Sequence, residues 1–430
     1  MTFPDVPLPA GYRFRPLTDD DHRARLELDF WAFPSSVEVD DALQHPSPLD
    51  WERTVGIEAD GHEGLAGLHS SYEFAEFPVP GGALPTAGLT WVGVHPQHRR
   101  RGLLNAMIDL HLARCVERGE PLSALFAAEA AIYGRFGYGL ATNDLRMTVP
   151  RGAALRPVAG ADGLTVRIER ASREQHGALV DQVHRAAGAA PTGVLGLNRP
   201  GWATRETEGL QANYWSDPAA YRGGRESRRI VVVERDGEPR AYATFRRKLD
   251  WEPAGPTGTV SVGEAVALDP GAARVLWGTL LDLDLMSNVA PFVLPVDDVL
   301  MQLLVNPRAA VPRTTDNVWV RIVDVAAALA GRQYAADVDV TLAVTDARLP
   351  QNAGTYRLRA TAFGQSTVER TDGPGDLSLD VRELGAAYLG GRSLAAMATA
   401  GFVTERTPGA LARASAAFGW PVAPVCSWIF

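Results

Sequence analysis

Three consecutive arginines, Arg99-Arg100-Arg101, run into Gly102 and then into Leu104, Met107, Ile108, Leu112, Cys115 and Val116. The apolar spacing of three and four predicts one face of a helix that starts at the arginines. A helix N-terminus holds unpaired N–H groups and partial positive charge, so guanidinium groups beside it make an anion cradle. Arg fits phosphate bidentately, and Gly102 lets a ligand approach the backbone, so pyrophosphate is the anion this segment suits best. Taken alone, an arginine run before a helix is more often a solvated face or a nucleic-acid patch.

The elements that must position this loop are legible on both sides. Residues 89–94 are apolar and rich in β-formers, a buried strand that His95-Pro96 stops because Pro cannot donate to a ladder. Residues 122–127 form a second strand, followed by the turn Tyr133-Gly134-Arg135-Phe136-Gly137-Tyr138. The order Arg99-x-x-Gly102-x-Leu104 after a strand, then a strand, then this Tyr/Gly turn resembles the acetyl-CoA site of the GNAT N-acetyltransferases. Leu104 stands where Gly or Ala is usual. With that departure, nearly all 430 residues resemble the Eis (enhanced intracellular survival) family of bacterial N-acetyltransferases.

The resemblance implies that acetyl-CoA lies against Val92, Gly93, Val94, Arg99, Arg100, Arg101, Gly102, Leu103, Leu104, Asn105, Ala128 and Glu129, with Ala128 offering only backbone. A parting of the two strands would expose N–H groups of residues 92–94 to the pantetheine arm and the thioester carbonyl. Tyr133 is implied as general acid: a phenol of reference pKa ~10 protonates a thiolate whose conjugate acid is near ~8.5. The implied general base is the α-carboxylate of Phe430, carried back into the first domain. Phe33, Trp91 and Asp298 match amine-pocket positions; their plainer readings are core aromatics and a helix cap. Ile429 departs from Eis-type tails that carry an acid next to the terminal residue. A primary amine of aminoglycoside or lysine type, direct attack in a ternary complex and a homohexamer complete what the resemblance implies.

Composition sets the outer bounds. At 430 residues the chain exceeds one core, so two or three domains are expected. Forty-two Lys+Arg against 51 Asp+Glu give a net charge of -9, which argues against nucleic acid as the main partner and mildly favours a cationic substrate. The two cysteines, Cys115 and Cys426, support neither a disulfide framework nor a zinc site, so no metal is expected. Neither a signal sequence nor a run of ~18 to 20 apolar residues is present, so a cytoplasmic protein without a membrane contact is expected.

In chain order, residues 12–17 read as a strand, and Thr18-Asp19-Asp20-Asp21-His22 opens a helix toward Leu26, Leu28, Phe30 and Trp31. A hairpin turns at residues 60–64, and a second hairpin turns at residues 235–238. The turn Asp precedes the strand-ending Pro by 36 residues in one case (Asp60, Pro96) and 34 in the other (Asp236, Pro270), which suggests a duplicated fold. The second copy keeps only Arg274 and has no glycine matching Gly102, so no second CoA site is expected. The fold class is therefore α/β and α+β multidomain: tandem GNAT folds, one active (1–150) and one degenerate (151–305), then a sterol-carrier-like α+β domain (306–430) recognised by resemblance. Two other functional classes stay open: a non-catalytic protein holding an apolar ligand in the C-terminal domain, and an acyltransferase for a longer acyl-CoA.

Overall fold

The computed structural model describes residues 3–190 and 195–430. Its first sheet begins with β1 (Tyr12–Pro16), β2 (Val55–Ala59), β3 (Gly67–Val79), β4 (Gly82–Val94) and β5 (Leu122–Phe126), adjacent in that order. β1 to β4 are antiparallel, with the β2–β3 turn where the Gly-containing stretch predicts it. β5 is parallel to β4, which requires a crossover, and the Leu103–Arg118 helix supplies it. That helix buries Leu103, Met107, Ile108, Leu110, Leu112 and Cys115, while Val116 is 50% exposed and lies outside the apolar face assigned to it. His111 and Arg114 complete the buried stripe instead, His111 through a bond to the Ser123 hydroxyl of β5. Gly119, in left-handed backbone, ends the helix.

Between β5 and the edge strand Gly139–Leu140 this sheet takes in a distant segment. Val318–Ile322 pairs antiparallel with β5 and also with Gly139–Leu140. All five of its residues are buried, as an interior strand covered on both faces requires. The price is a charged side chain inside the core, where one terminal nitrogen of Arg321 donates to both carboxylate oxygens of Asp346 at 2.7 and 2.8 Å and the other donates to the Ile322 carbonyl. Asn143–Arg146, next along the chain after Gly139–Leu140, pairs instead with Leu294–Pro295 and Arg313–Asp316. The first two units are thus interlocked by strands from outside their own segments.

The second sheet repeats the plan: Thr165–Arg170, Arg229–Arg235, Glu238–Lys248 and Gly258–Ala267 are antiparallel neighbours, and Met286–Pro291 joins in parallel after the Pro270–Leu281 helix. Duplication is therefore visible in strand order as well as in spacing. The third unit is a five-stranded sheet built around Val338–Thr345 and Gly354–Ala360, with Val381–Tyr388 and Ala410–Phe418 among its helices. Its interior closes on the Arg332 guanidinium, which donates to the carbonyls of Tyr388 and Phe418 and lies 4.7 Å from the Tyr334 ring.

A buried polar cluster ties the chain terminus to the second unit. Glu264 accepts hydrogen bonds from Arg205 (2.8 Å), Tyr242 (2.7 Å) and Tyr214 (2.9 Å), and Ser427 bridges it to His184. Burial alone would raise this carboxyl, but the Arg205 charge, with His184 and Tyr242, overrides it and holds the pKa at about 2. Because the folded value lies below the ordinary 4.5, the stabilisation is complete above that pH and is lost as pH falls toward 2. Glu264→Ala, which strands Arg205 in the core, is expected to lower stability by about 3–5 kcal/mol in urea unfolding at pH 7. The difference from wild type should shrink as the titration moves from pH 5 to pH 2.

Candidate active site

β4 pairs with β5 only from Thr86 to Leu89, opposite Leu122 to Leu125. Beyond that point residues 90–94 have no ladder partner on the β5 side, so the expected parting of strands is present. A bulge sharpens it: Leu68 faces Gly93 while Ser70 faces Thr90, and Trp91 takes a left-handed φ of 53°. Strain of that kind in a large residue persists only where its surroundings hold it. Here the Arg25 guanidinium lies 4.0 Å from the Trp91 ring centroid.

The gap opens into a cavity of about 660 Å³ lined by Val92, Gly93, Val94, Arg99, Arg100, Gly102, Leu103, Leu104, Asn105, Ala128, Glu129 and Tyr133. Eleven of the twelve residues expected to hold acetyl-CoA thus face one space. Arg101 is the exception and donates instead to the Tyr12 hydroxyl at 3.2 Å. Arg100 and Gly102 both adopt left-handed backbone, with φ of 60° and 86°. Gly102 is the N-cap, and no side chain caps the helix. A Cβ on Gly102 would come no closer than 3.7 Å to any atom, so its backbone conformation is what demands glycine here.

The matching helix start in the second copy is built differently. Asp269 caps the Pro270–Leu281 helix by accepting from Ala272 N at 2.8 Å, placing a carboxylate where the first copy leaves donors open. A Cβ on Gly271 would lie 2.2 Å from the Gly160 carbonyl, so the preceding linker also packs on that helix start.

A second cavity, of about 580 Å³, meets the first at Phe33, Val92, Ala128 and Tyr133. Trp91, Phe126, Ile429 and Phe430 line it, so both Phe33 and Trp91 of the expected amine pocket face this space. The Phe430 ring packs 5.0 Å from both Phe74 and Phe126. Gly88 makes room for it, since a Cβ there would lie 2.4 Å from Phe74 and 3.2 Å from Phe430. Asp298 lies elsewhere: it caps the Val299–Leu303 helix and lines a separate cavity of about 240 Å³ with Arg199 and Asp297.

Charged residues that motif reading missed complete the second cavity. Asp29 lines it, one helical turn after Arg25, and burial pushes its carboxyl up to about 6 against the pull of that guanidinium. Arg146 and Arg313, opposite each other on paired strands, also line it. Arg146 is neutralised by a bidentate pair with Asp144, whereas Arg313 is exposed and makes no salt bridge among the described residues. The Arg25-to-Asp29 spacing was a usable signal; the placement of residue 313 was not, because a strand exchange sets it.

Tyr133 is 8% exposed, and burial, with Glu129 adding to it, pushes its phenol up to about 12. It therefore keeps its proton throughout the neutral range. A thiolate formed in the same desolvated space is also a stronger base than in water, which offsets the weaker acidity of the phenol.

A parted central sheet, an arginine–glycine loop opening a crossover helix and a second cavity that meets the first beside the gap are the features of a GNAT-type N-acetyltransferase. Family profiles agree: one described as an acetyltransferase (GNAT) domain matches residues 13–141, another so described matches 196–322, and a sterol carrier protein domain matches 325–427. The chain is 39% identical to an uncharacterized N-acetyltransferase of Streptomyces avermitilis, over 95% of this chain and 97% of that one. It is 36% identical to N-acetyltransferase Eis of Mycobacterium tuberculosis, over 79% of this chain and 80% of that one. Among solved structures, Eis1 of Mycobacterium abscessus superposes with a TM-score of 0.78 at 30% identity, covering 97% of this chain and 100% of that one. The chain belongs to the Eis family of GNAT N-acetyltransferases. Among the described residues, no helix is long and apolar enough to cross a membrane.

Proposed function

We propose that the chain transfers the acetyl group of acetyl-CoA directly to a primary amine inside a ternary complex. The observation that carries this reading is the meeting of the two cavities at Tyr133, Val92, Phe33 and Ala128, one reaching the phosphate loop and the other Phe430. The amine nitrogen attacks the thioester carbon, the C–S bond breaks, and Tyr133 gives its proton to the departing sulfur. The Phe430 α-carboxylate takes the amine proton, directly or through water. Unpaired N–H groups on the free edge of β4 support the oxygen on which charge develops.

The mixed charge of the second cavity favours a lysine-type amine, which carries a carboxylate of its own, over a polycationic aminoglycoside. Asp29 suits the cationic end and Arg313 the anionic one. Arg313→Glu is expected to lower kcat/KM for an amine bearing a carboxylate about tenfold, the scale of one charge-assisted hydrogen bond, and to raise it for a polycation. Steady-state kinetics with lysine derivatives and aminoglycosides side by side measure both. The decisive test of the activity is CoA release from acetyl-CoA across a panel of amines, with product mass recorded. No amine-dependent release from folded protein would remove the proposal. The family resemblance also supplies a homohexamer, which light scattering of the full chain checks.

A further inference from the structure

Three histidines given no role in the proposed acyl transfer converge beside the first cavity. His62 comes from the β2–β3 turn, and His95 and His98 bracket the Pro96-Gln97 bend just before Arg99. One ring nitrogen of each lies within 4.8 Å of those of the other two. The ring centroids are 4.4 Å apart for His62 and His98, 4.9 Å for His62 and His95, and 5.8 Å for His95 and His98. Ring packing alone leaves a polar atom unexplained, because His98 Nε2 is buried and has no hydrogen-bond partner. No carboxylate serves the cluster either; the histidines in salt bridges among the described residues are His176 and His184.

The opposite nitrogen of His98 is set up for coordination. His98 Nδ1 lies 2.9 Å from the Tyr12 hydroxyl, whose oxygen also accepts from Arg101. With Nδ1–H donating to that oxygen, Nε2 presents a lone pair to the cluster, the usual outer support of a metal-bound imidazole. His95 Nδ1 is held only by a 3.3 Å bond from Gln97 N–H, which coordination would displace. Neutral imidazoles are ligands for zinc and its neighbours, and three of them leave one position of a tetrahedron open.

We infer that His62, His95 and His98 form a binding site for a zinc-class divalent ion that ties the β2–β3 turn to the phosphate loop. Three nitrogens around such an ion stand roughly 3.4 Å apart, so the rings must draw together on binding. His62 is the side with room to move, in a turn where Gly61 and Gly64 both take positive φ. Cysteine counting and local spacing hide this site, because its ligands meet only when β1 to β4 are assembled. His98 and Pro96 line the CoA cavity, so the ion would sit against the loop that carries Arg99 and Arg100.

The test is a titration of the tag-free, chelator-stripped full chain with Zn²⁺ against a chromophoric competitor, with Co²⁺ absorption as a report on coordination. The expected result is one ion per chain, visible bands of four-coordinate cobalt, and a loss of affinity on the order of 100-fold in His62→Ala, since removing a ligand costs at least as much as removing its outer support. Absence of stoichiometric binding in the wild type, or unchanged binding in His62→Ala, would overturn the site. If circular dichroism shows His62→Ala unfolded, His95→Gln takes its place under the same criterion.

Discussion

Tyr133→Phe is expected to lower kcat by about 10²–10⁴-fold, the usual worth of a positioned general acid, while acetyl-CoA binds within about twofold of wild type. The ring that packs against Tyr138 at 5.9 Å is retained, so only the hydroxyl is removed. Turnover by steady-state kinetics and affinity by calorimetry separate the two effects. The pH profile adds a sign. Burial raises the phenol to about 12, so it stays protonated as pH rises from 7 to 10, and wild-type kcat should show no alkaline loss from this group over that range. Near-normal turnover in Tyr133→Phe would remove Tyr133 as the acid.

If the Phe430 α-carboxylate is the base proposed above, residues appended after Phe430 are expected to lower kcat/KM by about 10²-fold or more with the fold intact, because the added peptide bond removes that carboxylate. The terminal ring is 9% exposed and seated among Tyr72, Phe74 and Phe126. Upstream, Ser427 is held by the buried Glu264 cluster and Cys426 N by the side chain of Asn317 at 2.9 Å. These anchors keep the tail in place, so the extension acts locally, and acetyl-CoA affinity and the melting curve should change little. Full activity in the extended protein would dismiss the carboxylate as base and leave Phe430 a packing residue.

The wall of the second cavity was harder to read than the loop. Arg99 to Leu104 announces itself within six residues, through charge, a glycine and the onset of a helical period. Arg313 and Asp316 have no such signature. They reach the cavity because the strand carrying them pairs with Asn143–Arg146, far away along the chain. Asp298 illustrates the converse: a lone acid before an apolar helix is a cap by local physics, and a cap is what it forms.

The sequence by itself determined the arginine–glycine loop, the crossover helix, Tyr133 just beyond the second strand and the tandem repeat. Each of these rests on interactions among residues close in the chain: turn chemistry, helix periodicity and the cap at the helix start. Tertiary structure alone decided that Val318–Ile322 completes the first sheet, that Phe430 seats over Gly88, that Asp29 and Arg313 share one cavity, and that three histidines meet beside the loop. Those outcomes depend on burial and strand pairing between segments hundreds of residues apart or on neighbouring strands. No local pattern encodes them, because the free energy that selects them is released only when the units pack.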